Sequence, residues 1–76
     1  MQDKELDLIY FLSFCIEQYK HKYQLTGENV VSLFEHYGVL IYLEHNYEVI
    51  HTQGYQWIMD EIDEFIRDKK IKEMES

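Results

Sequence analysis

The near absence of helix-breaking residues is the feature that most constrains the fold of this sequence. The 76 residues contain no proline and only three glycines, and these two residue types interrupt helices most strongly. Hydrophobic residues make up 46% of the chain and aromatic residues 16%, which is too much apolar surface for a disordered segment. We therefore predict a single all-α domain over residues 1–76, built as a small bundle of three to four helices.

Apolar periodicity and capping residues predict where the helices begin and end. Thr26 has the side chain of a helix N-cap, and Gly38 suits the left-handed position that ends a helix. Thr52 is a plausible cap for the last helix. The predicted helices cover approximately residues 3–23, 27–37, 39–45 and 53–70, and residues 71–76 are predicted to form a frayed tail.

The segment 39–51 allows two interpretations. Its apolar run from Val39 to Leu43 is short, and such runs occur both in helices and in buried strands. One interpretation is a short helix followed by an extended link, and the other is a β-hairpin that turns near Asn46. We favour the helix because an isolated pair of strands is marginally stable in water.

The charge balance indicates which partners the chain can bind. Fifteen acidic residues against seven basic ones give a formal net charge of −8. Binding to nucleic acids or to anionic membranes depends on clustered lysine and arginine, so we expect neither. A protein with a basic surface is the expected partner. The alternative is that the acidic residues serve only solubility.

Cysteine usage and the N-terminal sequence predict a cytoplasmic protein. Cys15 is the only cysteine, so no disulfide can form within the chain. The first residues lack the basic start and apolar core of a signal peptide. No apolar run approaches the roughly 20 residues that a membrane-spanning helix requires.

The last predicted helix carries the first candidate binding surface. Its predicted buried stripe consists of Tyr55, Ile58, Met59, Ile62, Phe65 and Ile66. Trp57 lies among acidic residues on the opposite side, and exposed aromatic side chains ringed by charge are typical of protein–protein hot spots. The alternative is that Trp57 packs beneath the segment 39–51 as part of the core. The candidate partner-binding residues are Trp57, Asp60, Glu61, Glu64 and Asp68.

A second candidate surface lies on the first helix. Leu6, Tyr10 and Phe14 recur every four residues on the side away from the main apolar stripe. That stripe, which we predict to face the core, consists of Leu8, Ile9, Leu12, Cys15, Ile16, Tyr19 and Tyr23. If they are exposed, they form a surface for a partner or for a homo-oligomer. The alternative is that other helices cover them.

No motif predicts catalysis, a cofactor or a metal site. The four histidines have no metal-ligand spacing and the single cysteine has no second thiol. Cys15 falls on an apolar stripe, where a thiol stays protonated and inert. A helical DNA-binding regulator is a remote alternative, but the second helix contains no lysine or arginine to hold phosphates.

Several stretches resemble a family of short bacterial proteins of unknown function. They are the helix start Thr26-Gly27-Glu28-Asn29-Val30, the run Tyr47-Glu48-Val49-Ile50-His51-Thr52 and the acidic run Asp60-Glu61-Ile62-Asp63-Glu64. The resemblance extends from about Leu6 to Arg67. Ile50 replaces the leucine that is usual in the family's Tyr-acidic-Val-Leu-His-Thr stretch.

The resemblance implies common descent more than it implies a mechanism of action. Genes of the family often lie beside genes for larger proteins, some of which resemble ADP-ribosyltransferase toxins. This implies a role as the antitoxin or accessory partner of a neighbouring toxin or enzyme. An acidic helix with an aromatic side chain would fit the basic cleft of an enzyme that binds an anionic dinucleotide.

Overall fold

The computed structural model describes residues 3–75 and shows an all-α fold in this part of the chain. Its five helices are α1 (Asp3–Tyr23), α2 (Gly27–Tyr37), α3 (Val39–His45), α4 (Tyr47–Ile50) and α5 (Tyr55–Glu75). The predicted helical bundle is thereby confirmed, and the hairpin interpretation of residues 39–51 is wrong. The fifth helix is the short α4, which the sequence did not predict.

Helix α1 ends in a closed hydrogen-bonded motif. Gln24 adopts a left-handed conformation with φ of 53°, and the backbone N–H of Leu25 donates to the carbonyl oxygen of Lys20 over 3.0 Å. This six-to-one bond is typical of a Schellman motif, where glycine is the usual left-handed residue. The backbone of Gln24 is therefore held in a conformation that non-glycine residues rarely adopt.

Helix α2 begins and ends at the predicted caps. The Thr26 hydroxyl oxygen accepts a 3.0 Å hydrogen bond from the backbone N–H of Asn29, as expected for an N-cap. Gly38 has φ of 73°, which glycine adopts without steric cost. The same glycine separates α2 from α3, so it fixes the angle at which the chain turns between them.

Residues 47–50 form a helical turn and not the predicted extended link. The His51 Nδ1–H donates to the Tyr47 carbonyl oxygen over 2.6 Å, and the two rings stack with their centroids 4.2 Å apart. The Thr52 hydroxyl donates back to the Val49 carbonyl oxygen over 3.0 Å. Thr52 therefore closes α4 and is not the predicted cap of the last helix, and α5 begins at Tyr55 and not at residue 53. These local side-chain bonds stabilise a turn that is too short to show apolar periodicity.

Helix α5 continues to Glu75, beyond the predicted end at Lys70. Residues 71–75, predicted as part of a frayed tail, are helical, and Ser76 lies outside the described residues. The extension contains neither glycine nor proline. It also contacts α2, since a ring nitrogen of His36 lies 3.0 Å from a carboxylate oxygen of Glu73 and the Lys70 ammonium lies 5.9 Å from the Tyr37 ring.

All five helices contribute to one hydrophobic core. Its buried members are Phe11, Cys15, Tyr19, Val30, Phe34, Val39, Leu43, Ile50, Ile58, Met59, Ile62 and Ile66. Phe11 was missing from the predicted apolar stripe of α1 and is buried through an edge-to-face contact with Tyr47 of α4. Tyr55, predicted to be buried, is exposed at the first residue of α5.

Candidate partner-binding surfaces

The outer face of α5 exposes its tryptophan. Trp57, Glu61, Glu64 and Asp68 succeed one another at intervals of three or four residues, which places them along one side of a helix. The core residues of α5, such as Ile62, occupy the other side. Trp57 is 42% exposed, so the alternative that it is a core residue is wrong.

An open groove of about 350 Å³ runs between α3 and this face of α5. The rings of Tyr42 and Phe65 meet edge to face at 4.2 Å and join the two helices along it. The groove is lined by Tyr42, Glu61, Glu64, Phe65, Asp68, Lys69 and Lys72. Three of the five predicted binding residues, Glu61, Glu64 and Asp68, therefore line one concave surface.

Glu61 is occupied by an interaction within the protein. Its carboxylate accepts a 2.6 Å hydrogen bond from the Tyr42 hydroxyl. Burial of Tyr42 and this hydrogen bond, together with the nearby negative charges of Glu61 and Glu64, raise the pKa of Tyr42 to about 12. The phenol thus stays protonated and donates at neutral pH. Glu61 holds α3 against α5 and is poorly placed to pair with a partner.

The other three acidic candidates differ in their surroundings. Asp60 lies on the flank of the face, where it accepts a 3.0 Å hydrogen bond from Gln56 and lies 3.9 Å from the Lys22 ammonium. Glu64 and Asp68 are exposed. Within residues 3–75, no hydrogen bond or ion pair involves either of their side chains. Trp57, Glu64 and Asp68 are consequently the exposed candidates whose side chains have no hydrogen bond or ion pair within residues 3–75.

Two lysines that the sequence reasoning left out of the site line the same groove. Lys69 lies with its ammonium 5.2 Å from the Phe65 ring, and Lys72 lies one turn beyond Asp68. Lysines near the end of a helix also interact favourably with the helix dipole. Their helical spacing from Glu61 and Asp68 could have shown that both lysines lie on the same face of α5. The groove therefore carries negative charge near Trp57 and positive charge towards the end of α5.

A polar cluster fastens the end of α1 to α5. One carboxylate oxygen of Asp63 accepts hydrogen bonds of 2.7 Å from both the Lys22 ammonium and the Tyr23 hydroxyl. Burial by itself would raise the pKa of Asp63, but the hydrogen bonds from Lys22, Tyr23 and Tyr19 outweigh it and hold this pKa below its ordinary value. Asp63 thus stays ionised, and the cluster supports the fold behind the outer face of α5.

The predicted surface on α1 is exposed and larger than predicted. Leu6, Tyr10 and Phe14 all reach solvent, and so does Ile9, which had been assigned to the core stripe. We call these four residues the α1 patch. Their exposed fractions lie between 39% and 65%, so the alternative that other helices cover the patch is wrong for residues 3–75.

One thiol and four histidines remain among the side chains with reactive or metal-binding chemistry. Burial raises the pKa of the Cys15 thiol to about 12, which leaves it protonated and unreactive at neutral pH. No group of histidine, cysteine, aspartate and glutamate within residues 3–75 is arranged to hold a metal ion. The helices of the same residues include none with the length and hydropathy of a transmembrane segment.

Comparison with known proteins identifies a family and no individual relative. No curated protein and no solved structure matches the chain. The family model of DUF3791, described as a protein of unknown function, matches residues 10–69. This match spans α2, α3 and α4 entirely and includes the candidate residues from Trp57 to Asp68 on α5. The chain therefore belongs to the DUF3791 family of proteins of unknown function.

Proposed function

We propose that this chain is a protein-binding module without catalytic activity, and that its partner binds the outer face of α5. The observation that carries the proposal is an exposed tryptophan on the same helical face as two unpaired carboxylates. Trp57 would insert into a pocket of the partner, while Glu64 and Asp68 would pair with basic groups around that pocket. The described residues offer no arrangement typical of a catalytic site.

The exposed area of Trp57 is large enough to matter energetically. A tryptophan buries up to about 250 Å² when fully covered, and 42% of Trp57 is exposed in the isolated chain. Covering that part removes roughly 100 Å² from water, which contributes about 2.5 kcal/mol at 25 cal/mol per Å². A contribution of this size is typical of an interface hot spot.

Charge favours a basic partner. The formal net charge of −8 attracts such a surface over a distance comparable to the Debye length, about 8 Å at physiological salt. This attraction would speed association and make the rate fall with added salt. Lys69 and Lys72 at the far end of the groove would add specificity, because they require an acidic or neutral group of the partner at that end.

The family resemblance suggests the biological setting. We propose a bacterial, cytoplasmic protein that serves as the antitoxin or accessory partner of a neighbouring toxin or enzyme. The stretch Tyr47-Glu48-Val49-Ile50-His51-Thr52, which resembles the family's pattern, forms α4 and its closing bonds. In this proposal the stretch maintains the fold and takes no part in binding, because the His51 ring stacks on Tyr47 and Ile50 is buried.

The proposal is tested with tagged protein expressed in its native host. Proteins that co-purify with the wild-type chain are compared with those retained by Trp57→Ala and by the double variant Glu64→Lys and Asp68→Lys. Glu28→Lys, which reverses an exposed charge on α2, is the matched control. Circular dichroism establishes that each variant is folded. The expected result is a partner that both α5 variants lose and that Glu28→Lys retains.

Purified components then give a direct measurement. Trp57 is the only tryptophan of this chain, so the part of the emission that Trp57→Ala lacks reports its burial without labelling. We expect a blue-shifted emission and weaker quenching by acrylamide in the complex, and an affinity at least tenfold lower for Trp57→Ala, which corresponds to about 1.4 kcal/mol. Unchanged emission on binding, or unchanged affinity of both α5 variants, would contradict the proposal.

A further inference from the structure

The α1 patch is an apolar surface that no other part of residues 3–75 covers. Leu6, Ile9, Tyr10 and Phe14 are separated by one, three or four residues and share one side of α1. The buried residues of the same helix, Phe11, Cys15 and Tyr19, lie on the side that faces the core. At 1.5 Å per residue, the patch is about 12 Å long. This length suits a single helix lying against α1 better than the broad face of a globular protein.

Acidic side chains surround the α1 patch. Asp3, Glu5 and Asp7 flank its beginning and Glu17 lies at its end, and all four are exposed. Glu17 already has partners within α1, since one of its carboxylate oxygens lies 3.5 Å from the Lys20 ammonium and 3.0 Å from a ring nitrogen of His21. Lys4 is the only basic residue between Asp3 and Glu17, and its ammonium lies 3.8 Å from Glu48 of α4. An apolar strip bordered by negative charge is complementary to an apolar strip bordered by lysine and arginine.

We propose that the α1 patch binds an amphipathic helix of a partner protein whose apolar stripe is flanked by lysine or arginine. Leu6, Ile9, Tyr10 and Phe14 contact the apolar stripe in this complex, and Asp3, Glu5 and Asp7 pair with the flanking cations. Apolar burial supplies most of the affinity, and the charges select the orientation and the partner. The surface lies on a different helix from Trp57 and does not depend on the function proposed for α5.

A second copy of the chain fits the α1 patch less well. An antiparallel pair of α1 helices that places Tyr10 on Tyr10 also brings Asp3 opposite Glu17, and a parallel pair places each carboxylate beside its own copy. Both arrangements bring negative charges together between two chains that each carry a formal charge of −8. Like charges placed across an interface disfavour association. Anionic lipid headgroups meet the same repulsion.

The test uses three synthetic helical peptides and the full chain. The first peptide has leucine at helical spacing flanked by lysine, the second has glutamate in place of each lysine, and the third has the first peptide's composition in a scrambled order. Binding is measured by fluorescence anisotropy of the labelled peptide at physiological salt. We expect the first peptide to bind at least tenfold more tightly than either of the others.

Variants of the chain assign that binding to a surface. The double variant Tyr10→Ala and Phe14→Ala, and the charge reversal Glu5→Lys with Asp7→Lys, should each weaken binding at least tenfold. Ile41→Ala, which removes an equally exposed apolar side chain on α3, should leave it unchanged, as should Trp57→Ala. Tyr10→Ser alone serves if the double variant fails to fold, because Tyr10 is the most exposed residue of the patch.

Four results would overturn the proposal. The first is equal binding of all three peptides, or no binding by any of them. The second is peptide binding that is lost in Trp57→Ala but retained in the α1 variants, which would place the peptide on α5. The third is a wild-type dimer in light scattering that Tyr10→Ala and Phe14→Ala dissociate, which assigns the patch to a second copy. The fourth is patch-dependent binding to phosphatidylcholine vesicles.

Discussion

The Tyr42 hydroxyl donates a 2.6 Å hydrogen bond to the carboxylate of Glu61 and thereby joins α3 to α5. Both residues line the groove that also includes Glu64 and Asp68 of the proposed binding surface. Glu61 was predicted to contact a partner, and the structure instead gives its charge an internal partner. The shape of the outer face of α5 therefore depends on the packing of α3 as well as on the spacing of residues along α5.

Replacing Tyr42 with phenylalanine should destabilise the protein. The substitution leaves the half-buried Glu61 carboxylate without its donor, and we expect a loss of about 1 kcal/mol in the free energy of unfolding. Urea unfolding measures the loss directly, and thermal unfolding should show a midpoint lower by about 4–8 °C for a domain of this size. Tyr10→Phe is the control, because its exposed hydroxyl lies outside the groove. Equal losses in both variants would contradict a specific role for the Tyr42 bond.

Asp63→Asn should destabilise the protein in a pH-dependent manner. The pKa of Asp63 is lowered in the folded state, so its contribution is complete above the unfolded value of about 3.9. It is lost as the pH falls through the lower folded value. Lys22 has a raised pKa, chiefly through its hydrogen bond to Asp63, so its contribution persists until the pH exceeds the ordinary lysine value of about 10.4.

The difference in unfolding free energy between wild type and Asp63→Asn should thus be greatest between about pH 4 and pH 10. We expect about 1–2 kcal/mol in that range, because the lost bonds involve a charged acceptor in a partly exposed cluster. Urea titrations at a series of pH values measure the difference. A difference that stayed constant below pH 4, through the folded pKa of Asp63, would show that ionisation of Asp63 does not stabilise the fold.

Gly38→Ala should be destabilising, whereas Gly27→Ala should not. Gly38 has φ of 73°, a conformation that costs a residue with a Cβ atom about 1–2 kcal/mol. Gly27 is the first residue of α2 and has open space around its Cα, so alanine there should stabilise by up to about 1 kcal/mol through its helix propensity. Opposite signs in chemical unfolding would confirm this. Similar effects at both positions would contradict the conformational explanation.

Gln24→Gly should stabilise the protein. Gln24 has φ of 53° at the end of α1, so glycine removes a steric cost of about 1 kcal/mol. Part of this gain is offset by the greater freedom of glycine in the unfolded chain. Thermal unfolding should show a higher midpoint. Gln18→Gly, within α1, is the control and should show a lower midpoint because it places glycine inside a helix.

The parts of the fold that depend on residues close together in the sequence could be predicted from it. Thr26 and Gly38 act within one helical turn of their own positions, and both adopt the predicted capping roles. The turn at α4 could not be predicted in this way. It depends on the stacking of Tyr47 on His51 and on the burial of Ile50, and neither contact has a periodic signature in so short a segment.

The candidate site could be predicted only where it depends on the sequence of a single helix. Helical spacing placed Trp57, Glu64 and Asp68 on one face, which follows from the sequence of α5 alone. The spacing could not show that Tyr42 of α3 engages Glu61 or that Asp60 pairs with Lys22 of α1. Those contacts depend on how helices distant in sequence pack together. Ile9 was misassigned because the core of α1 is shifted towards Phe11 by the contact with Tyr47 from α4.

The single buried thiol gives this domain a built-in measure of how often it opens. Cys15 is buried in the core, so a thiol reagent can reach it only when α1 separates from its neighbours. Its rate of modification therefore reports the population of open molecules under native conditions, without denaturant. That rate would compare partner-bound and free chains on one scale.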